Sequence, residues 1–443
     1  MRRDLWGTAM LDQQTISDFE SYLDALPRFS DTPDLAYKPG LERIEALLGE
    51  MGRPQDAFDC IHIAGTNGKG STASMIAAIG TAAGYRIGLH TSPHLFHVTE
   101  RMRINGRPVS GDRLWNAVGH FRGLAEQIRP SFFEFTLALA VNFFAEDEVD
   151  FAVIEVGMGG RLDATNVLLP VLSVITDVGF DHMDHLGTSI EAIAFEKAGI
   201  IKPGVPVVTS SRAASQVIEQ VAANAGSDLH QTAAEVTFSS AVFDSQGSRV
   251  TAETPIRVYE DLYIGLAGEH QLQNARSALR AAELVYNDVH VSERAVFDGM
   301  RNIRALSGLR GRLEVLQTDP LIVADVAHNP AGIAAAVHYF NRIIGLSGRL
   351  HVLIGLMRDK DVEAIARELS IADALVRPVT VSSERVLAPE ELASRLEVFN
   401  VMTGPSCTVQ QGVRDFIAEA NFRDALLITG SHLVVSALET VSI

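Results

Sequence analysis

Cysteine is scarce in this sequence, whose 443 residues include only Cys60 and Cys407. Two cysteines cannot supply the disulfide framework of a small secreted domain, and Cys60 stands in an apolar stretch that favours a small buried residue. No apolar run approaches the ~20 residues of a membrane-spanning helix. The segment Met1–Asp4 also lacks the apolar core that a signal peptide needs. We therefore expect a cytoplasmic protein without a membrane partner.

Basic residues are also in deficit: 37 lysines and arginines stand against 55 aspartates and glutamates, which gives a net charge of −18. This imbalance opposes non-specific binding to nucleic acid and to anionic membranes. An anionic substrate would therefore need a local basic pocket. The length of the chain, with 47% hydrophobic and 21% charged residues, predicts a globular protein of two or three domains.

A glycine-rich turn, GTNGKGST, starts at Gly65, after the β-branched residues Ile61 and Ile63 and before an alanine-rich helical stretch. Glycines let successive backbone N–H groups point into one concavity. With a helix N-terminus and the ammonium group of Lys69, that concavity forms a socket for nucleotide phosphates. The turn therefore predicts ATP binding. The predicted ATP-binding residues in it are Thr66, Asn67, Gly68, Lys69, Gly70 and Ser71.

This loop differs from the general Walker pattern. Ile63 stands where that pattern has its first glycine, and Gly70 stands where it has serine or threonine after the lysine. The alternative interpretation is a glycine-rich turn that binds nothing. An apolar strand before the turn and a helix after it favour the phosphate socket.

Apolar strands alternate with helical stretches from Cys60 to about Ile303. Such an alternation predicts a parallel sheet that is covered on both faces. The predicted strands are Cys60–Ile63, Phe151–Val156, Val171–Thr176 and Val205–Thr209. The predicted helices include Thr72–Ala83, Phe133–Ala145 and Ile190–Ile200. Thr188 and Glu191 have the spacing of a capping box for the last of these helices.

The pattern changes further along the chain. Short alternating strands over Val236–Leu266 predict a small antiparallel excursion, and a helix is predicted over Gln271–Val285. The segment Asn302–Arg312 interrupts the alternation, so we place a domain boundary there, with domains over 1–303 and 304–443. Further strands are predicted at Leu321–Ala324, Leu350–Gly355, Val379–Ser382 and Leu426–Thr429. The second, smaller domain is therefore also α/β.

Polar residues follow several strands of the first domain, at the sheet edge where α/β proteins bind ligands. Ser92 and His94 follow the run Ile87–His90, and Glu155 ends another apolar strand. An acid on an apolar strand is costly to bury without a partner, so we interpret Glu155 as a metal ligand. Beside a phosphate socket, that metal is expected to be Mg²⁺. The cluster DHMDHLG (181–187) also lies there; a single histidine is more often structural, and Asp184 and His185 stay unassigned.

Motifs across most of the chain resemble the folate branch of the Mur ligase superfamily, the dihydrofolate synthase/folylpolyglutamate synthases. The matching segments are GTNGKGS (65–71), TSPHL (91–95), ERMRING (100–106), FFEF (132–135), EVGMGGRLDATN (155–166), DHMDHLG (181–187), EKAGIIKPG (196–204), GEHQLQNA (268–275), GRLE (311–314), DVAHNP (325–330) and TGSH (429–432). The resemblance implies a P-loop-containing, parallel-sheet N-terminal ATPase domain of the Mur ligase central-domain type. It also implies a smaller Rossmann-like C-terminal glutamate-ligase domain.

The resemblance also implies roles for individual residues. It implies that Lys69, Lys197 and His182 take part in catalysis, and that Ser92, Glu155 and His182 bind Mg²⁺, with two Mg²⁺ sites in all. Nucleotide-binding positions beyond the loop are Asn274, Arg312 and Asp325. Arg101, His328 and Ser431 match positions that hold the incoming glutamate. The pterin-substrate surface matches Phe132, Phe133, Glu134, Leu162, Asp163 and Ala164.

A carbamate on Lys197 is a further implication of the resemblance. The simpler interpretation of this residue is an ordinary exposed helix lysine. Carbamylation needs a neutral amine, whereas a free lysine with a pKa of about 10.4 is protonated at neutral pH. Partial burial behind the metal site would lower that pKa. The carbamate would then place a negative charge where a second cation could bind.

The expected reaction is ATP-dependent joining of L-glutamate to dihydropteroate, to reduced folates, or to both, through an acyl phosphate. The expected partners are thus small molecules, and the resemblance implies a monomer with a monovalent cation as a further cofactor. Closure about the linker Asn302–Leu309 would exclude water from the anhydride. Two alternatives stay open: a cell-wall Mur ligase, and a P-loop NTPase switch without ligase activity.

Overall fold

The computed structural model describes residues 13–27, 40–286, 291–343, 348–383, 385–421 and 423–440. These residues form two compact units. Unit 1 contains the described residues up to Thr237, together with Thr254–Arg257 and Asn274–Gly308. Unit 2 contains Phe238–Glu253, Val258–Gln273 and the described residues from Leu309 onward. The units are therefore discontinuous along the chain.

Unit 1 is an α/β unit. Its strands are β1 (Asp59–Ala64), β2 (Ile87–His90), β3 (Arg103–Ile104), β4 (Arg107–Pro108), β5 (Phe151–Glu155), β6 (Leu172–Ile175), β7 (Val207–Thr209) and β8 (Leu229–Gln231). Its helices are Gln13–Ala25, Glu42–Glu50, Lys69–Ala82, Gly111–Ile128, Phe132–Glu146, Met183–Leu186, Ile190–Ala198, Ser215–Asn224, Thr232–Glu235, Asn274–Val285 as part of a helix that starts at His270, Glu293–Arg301 and Ile303–Ser307.

The sheet of unit 1 has eight strands in the order β4-β3-β2-β5-β1-β6-β7-β8. The strands from β2 to β8 in this order are parallel, and β3 and β4 are antiparallel additions at one edge. The central strand β1 is buried at every residue after Asp59, which explains why its sequence is mainly apolar, with His62 the one polar residue buried in it. The predicted parallel α/β fold is confirmed.

Four helices of unit 1 start with a serine whose hydroxyl accepts a hydrogen bond from the first turn: Gly111–Ile128, Phe132–Glu146, Ile190–Ala198 and Glu293–Arg301. Ser131 and Glu134 form a complete capping box at the start of the helix Phe132–Glu146. The capping box predicted from Thr188 and Glu191 is wrong. The hydroxyl of Ser189 instead accepts a hydrogen bond from the Ala192 backbone N–H, because the helix starts one residue later than that pattern assumes.

Unit 2 holds two sheets. One has three strands in the order β11-β10-β9, made by β9 (Thr237–Phe243, whose first residue is in unit 1), β10 (Ser248–Glu253) and β11 (Val258–Ile264). The other has six strands in the order β12-β13-β17-β14-β15-β16, made by β12 (Glu314–Thr318), β13 (Leu321–Ala324), β14 (Leu350–Ile354), β15 (Leu375–Pro378), β16 (Met402–Thr403) and β17 (Ala425–Thr429). The helices after Leu309 are Pro330–Ile343, Val362–Ile371, Pro389–Glu397, Val409–Glu419 and His432–Ser436.

The strand predicted at Val379–Ser382 is wrong. The strand is Leu375–Pro378, where Val376 and Pro378 are buried, and Val379 makes only an isolated bridge to Cys407. Proline is rare inside strands, so the sequence favours a strand that starts after Pro378. In the structure Pro378 is instead the last residue of the strand, where it pairs with Ile354. The other strands predicted for this part of the chain are confirmed to within one or two residues.

The three-stranded sheet of unit 2 is attached to the helix Pro330–Ile343. The Tyr339 hydroxyl donates to the Ser245 carbonyl over 2.9 Å, and the Arg342 guanidinium lies 4.2 Å from the centre of the Phe243 ring. These long-range contacts explain why the antiparallel excursion belongs to unit 2. The segment Ile303–Ser307, inside the predicted linker, is a short helix. No helix in the described ranges is both long and apolar enough to cross a membrane.

Candidate active site

The glycine-rich loop joins β1 to the helix Lys69–Ala82 at the carboxyl end of the sheet. Gly65 and Gly68 adopt positive φ angles of 152° and 86°. A side chain at Gly65 would lie 1.8 Å from the Thr176 hydroxyl, and one at Gly68 would lie 2.1 Å from Oδ1 of Asn274. Only glycine fits this path. The predicted nucleotide residue Asn274 is thereby placed against the loop.

Thr66 fastens the loop to the segment after β6. Its backbone N–H donates to the Asp177 carbonyl over 2.7 Å, and its hydroxyl donates to the Gly179 carbonyl over 3.0 Å. The Thr176 hydroxyl donates to the Asn67 carbonyl over 2.8 Å. Gly70 and Ser71 lie buried in the first turn of the helix. The loop is therefore held from the neighbouring strand in a fixed shape.

Two lysine amines meet at one carbonyl of this loop. Nζ of Lys69 donates to the Gly65 carbonyl over 3.0 Å and to the Thr66 carbonyl over 3.3 Å. Nζ of Lys197, from the helix Ile190–Ala198, donates to the same Gly65 carbonyl over 3.0 Å. The ammonium group of Lys69, with the amine of Lys197 beside it, gives this position a positive potential, which suits an anionic phosphate.

Lys197 is not the exposed helix lysine of the simpler interpretation, because only 3% of it is exposed. Burial, and secondarily the charge of Lys69, lower the pKa of Lys197 to about 7, while Asp181 and Asp177 act in the opposite direction. A substantial fraction of the amine is therefore neutral near neutral pH. This is the protonation state that carbamylation requires.

Glu155 and Ser92 are neighbours at the ends of β5 and β2. Glu155 is buried, and its Oε2 accepts a hydrogen bond from the Ser92 backbone N–H over 3.2 Å. In the described ranges, no group of three or more His, Cys, Asp or Glu side chains could hold a metal ion. A cation at Glu155 would thus need hydroxyl, substrate or water oxygens as its other ligands. Mg²⁺ accepts that set, so the residues fit the predicted ion.

His182 lies in the loop after β6, with a positive φ of 50° just before the short helix Met183–Leu186. Its backbone N–H donates to Oδ1 of Asp181 over 3.0 Å, and its Nε2 lies 3.8 Å from Oδ2 of the same residue. Asp184 and His185 are exposed. The interpretation that leaves those two residues unassigned therefore fits their position on the surface.

Arg101 lies in a short 3-10 helix, Val98–Arg101, and is buried. Its Nε donates to Nδ1 of His94 over 2.8 Å, and its guanidinium carbon lies 5.1 Å from the centre of the Phe132 ring. The structure thus brings together a residue predicted to hold glutamate and one predicted to hold the pterin substrate. Both roles stay predictions.

Glu100 was not among the predicted site residues, yet it shapes this region. Its carboxylate accepts hydrogen bonds from the backbone N–H groups of Leu95, Phe96 and His97, over 2.9, 2.9 and 3.0 Å. It fixes the TSPHL turn. The available signal was the Glu100 spacing, because an acid three residues after His97 can complete a capping box.

Three residues of the predicted pterin surface lie in two segments of unit 1. Phe133 is in the first turn of the helix Phe132–Glu146, and Leu162 and Ala164 follow β5. The Phe133 ring lies 5.9 Å from the His90 ring, and its Cζ would be 2.8 Å from a side chain at Gly157. Ala164 is buried and Leu162 is half-buried. Their predicted contact with the pterin substrate stays a prediction.

Glu134 and Asp163 both make structural hydrogen bonds. Asp163 accepts from the backbone N–H groups of Met158 and Thr165, over 2.9 and 3.0 Å. Glu134 accepts from the Ser131 backbone N–H over 2.7 Å and pairs with Arg43 over 3.1 Å. Burial raises the pKa of Asp163, although its hydrogen bonds act against this. Substrate binding by either side chain stays a prediction.

Replacing Glu134 with alanine should therefore reduce stability. The variant removes the acceptor of the buried Ser131 N–H and the ion pair between Glu134 and Arg43. We expect a loss of about 2 kcal/mol, or a thermal midpoint about 5 °C lower. Glu126→Ala, which removes an exposed pair with Arg122, should shift the midpoint by about 1 °C at most. An unchanged midpoint for Glu134→Ala with a higher KM for the folate substrate would favour the substrate role.

The predicted residues of unit 2 lie around β13 and β17. Asp325 is buried and accepts from the backbone N–H groups of Leu313 and Ala327, each over 2.7 Å. Nη1 of Arg312 donates to the Gly311 carbonyl over 3.2 Å. Asp325 thus ties the GRLE segment to the DVAHNP loop within unit 2.

His328 and Ser431 occupy the loops that follow β13 and β17. Nδ1 of His328 lies 3.0 Å from the Val326 carbonyl, and its ring lies 6.2 Å from the His432 ring. The Ser431 hydroxyl accepts from the Val434 backbone N–H and caps the helix His432–Ser436. The two loops are joined by the Gly430 N–H, which donates to the Ala327 carbonyl over 2.9 Å. His432 was not among the predicted site residues, although it lies beside one of them, His328.

Comparison with known families identifies two domains in this chain. Residues 63–282 match the Mur ligase middle domain, and residues 311–432 match the Mur ligase glutamate ligase domain. The chain is 34% identical over 434 residues to the dihydrofolate synthase/folylpolyglutamate synthase of Bacillus subtilis, which covers 94% of this chain and 98% of that protein. The chain belongs to the dihydrofolate synthase/folylpolyglutamate synthase family of Mur ligases. The Escherichia coli member is 32% identical and covers 96% of this chain and 95% of its own length.

Solved structures of family members superpose over nearly the whole chain. The Mycobacterium tuberculosis folylpolyglutamate synthase complexed with ADP has a TM-score of 0.85 and 32% identity, and covers 96% of this chain and 98% of its own. Escherichia coli FolC in complex with DHPP and ADP also has a TM-score of 0.85, with 28% identity and coverage of 96% for each chain. Membership of the folate branch is therefore confirmed, and the comparisons favour neither the cell-wall ligase nor the switch.

Proposed function

We propose that this chain is an ATP-dependent ligase that joins L-glutamate to a pterin acid. The acceptor is dihydropteroate, which gives dihydrofolate, or the γ-carboxylate of a tetrahydrofolate, which gives a polyglutamate; we propose that both react. The observation that carries this proposal is the pair of amines, Lys69 and Lys197, at one carbonyl of the glycine-rich loop. Buried Glu155 at the end of β5 adds an oxygen ligand for a cation at the same sheet edge.

The reaction needs a leaving group, because a carboxylate is a poor electrophile. An oxygen of the acceptor carboxylate attacks the γ-phosphorus of ATP, the bond to ADP breaks, and an acyl phosphate forms. The amine of L-glutamate then attacks the acyl carbon. The tetrahedral intermediate loses a proton and expels inorganic phosphate. Lys69 and the backbone N–H groups of the loop would hold the transferring phosphoryl group and offset its charge.

Ser92, Glu155 and His182 would hold Mg²⁺, which when bound neutralises phosphate charge. Glu155 and Ser92 supply hard oxygen donors, and Asp181 orients the loop that carries His182. Lys197, buried beside Lys69, would carry the carbamate that offers oxygen to a second cation. We include a monovalent cation among the cofactors on the strength of the resemblance.

The remaining predicted roles are proposals as well. Residues proposed to bind the nucleotide are Thr66, Asn67, Gly68, Gly70, Ser71, Asn274, Arg312 and Asp325. Residues proposed to bind glutamate are Arg101, His328 and Ser431, and those proposed to bind the pterin substrate are Phe132, Phe133, Glu134, Leu162, Asp163 and Ala164. We also propose functional domains over 1–303 and 304–443, a monomer, and a cytoplasmic location.

The test is phosphate release from ATP by the purified full chain with Mg²⁺ and L-glutamate. Three reactions are compared: with dihydropteroate, with tetrahydrofolate, and without an acceptor. The proposal predicts release only when an acceptor and glutamate are both present. Release with only one of the two acceptors would contradict the bifunctional part. Release that ignores both substrates would instead identify an NTPase.

Glu155→Gln should weaken the use of Mg²⁺. The amide keeps the size of the side chain but removes the negative charge, so the Mg²⁺ concentration for half-maximal activity should rise by about tenfold to 100-fold. The control is Glu191→Gln, which replaces an exposed acid in the first turn of the helix Ile190–Ala198. It should leave the Mg²⁺ concentration for half-maximal activity unchanged. An unchanged Mg²⁺ requirement in Glu155→Gln would remove Glu155 from the metal site.

A further inference from the structure

His94 is in the TSPHL turn and has no role in the function proposed so far. Its Nδ1 accepts a hydrogen bond from Nε of Arg101 over 2.8 Å. A neutral histidine has one nitrogen that donates and one that accepts, so this bond places the ring proton on Nε2. His94 therefore offers Arg101 an acceptor that carries no negative charge.

The guanidinium of Arg101 is constrained on a second side by an aromatic ring. Its central carbon lies 5.1 Å from the centre of the Phe132 ring, and the His94 and Phe132 rings are 6.4 Å apart. Arginine binds carboxylates best with two parallel N–H groups in one plane. The hydrogen bond at Nε and the nearby Phe132 ring together restrict the orientation of that plane.

The acceptor is itself held in place. The carboxylate of Glu100, next to Arg101 in the chain, accepts hydrogen bonds from the backbone N–H groups of Leu95, Phe96 and His97. These bonds connect the turn that contains His94 to the short helix that contains Arg101. An acidic partner in place of His94 would satisfy Arg101 but would also neutralise it. A neutral acceptor orients the guanidinium without adding a negative charge beside it.

We propose that His94 is a positioning residue that orients the Arg101 guanidinium to bind a substrate carboxylate. This inference rests on the proposed function, in which Arg101 holds the carboxylate of the incoming glutamate. His94 does not touch the reacting atoms. It should therefore set the KM for glutamate and leave the chemical step and the nucleotide site unaffected.

The test compares three variants of the full chain in the phosphate-release assay. His94→Leu removes the acceptor, and we expect the KM for glutamate to rise about tenfold with kcat changed less than about twofold and the KM for ATP unchanged. His94→Asn should restore the KM to within about twofold of the original, because its amide oxygen branches from the same carbon as Nδ1 and also accepts. His120→Leu, an exposed histidine on the helix Gly111–Ile128, should change nothing.

A double-mutant cycle with Arg101→Ala separates positioning from general loosening of the turn. If His94 acts through Arg101, then His94→Leu has no further effect on the glutamate KM once Arg101 is replaced. An equal effect in both backgrounds would overturn the proposal, as would equal KM values for His94→Leu and His94→Asn. Failure of the proposed function is distinguishable, since the unmodified chain would then release no glutamate-dependent phosphate.

Discussion

Lys69→Met is expected to lower the rate of glutamate-dependent phosphate release by about 1000-fold. Methionine keeps the length of the side chain but removes the charge that would offset the transferring phosphoryl group. The fold should persist, because among the described residues Lys69 bonds only the carbonyls of Gly65 and Thr66, and Lys197 still donates to Gly65. The measurement is the steady-state rate with saturating acceptor, together with the thermal midpoint.

The thermal midpoint is the control for this variant. An unchanged midpoint with the rate lost would place the defect in the chemistry. A rate within about tenfold of the original would contradict the assignment, because a group that stabilises transferring charge contributes more than that. A large drop in the midpoint would show that Lys69 holds the loop together, and the effect on the rate could then not be assigned to phosphate.

Lys197→Met is expected to reduce ligase activity by about 100-fold or more, since it removes both the amine and its carbamate. The control is Lys202→Met, a second lysine with a burial-lowered pKa, which donates to the Asn166 carbonyl and not to the glycine-rich loop. We expect that control to keep its activity. Equal losses in the two variants would mean that Lys197 and the half-buried Lys202 matter only to the fold.

The pH dependence of Lys197 has a defined sign. Its folded pKa of about 7 lies below the value of about 10.4 expected in the unfolded chain. The unfolded chain therefore binds more protons between these values, and the contribution of this group to stability rises with pH across that window. The neutral amine, and with it the carbamate, should increase as the pH passes about 7. A carbon-13 signal from labelled bicarbonate that follows this profile, and is lost in Lys197→Met, would establish the carbamate; no signal at pH 8 would exclude it.

The sequence predicted the first unit well because its signals are local. The strand at Ile61–Ile63 and the glycine-rich turn are adjacent in the chain, and a buried parallel strand needs a mainly apolar run. Lys197 shows where local signals end. Its burial depends on contact with Gly65, 132 positions away, and no periodicity in its own helix indicates that contact.

Three further features were predicted wrongly, only in part, or not at all: one helix start, the position of the antiparallel strands, and the role of Glu100. Thr188 and Ser189 are both good capping residues, and the backbone of the helix start selected Ser189. The antiparallel excursion was recognised as strands, but its place in unit 2 depends on Tyr339 and Arg342, far along the chain. Glu100 was missed because its role is to accept three backbone N–H groups, and such a role leaves no pattern of hydrophobicity.

The most direct test of the central claim follows the oxygen atoms of the acceptor. Dihydropteroate with its carboxylate labelled with oxygen-18 is incubated with the enzyme, ATP, Mg²⁺ and L-glutamate, and the released phosphate is analysed by mass spectrometry. An acyl-phosphate route transfers one labelled oxygen from each carboxylate to the phosphate that leaves, because the bond that formed between oxygen and phosphorus is kept when the amide forms. Singly labelled phosphate in a one-to-one ratio with the dihydrofolate product is the predicted result. Phosphate without label would mean that water attacks ATP, and would contradict the assignment of this chain as a carboxylate-activating ligase.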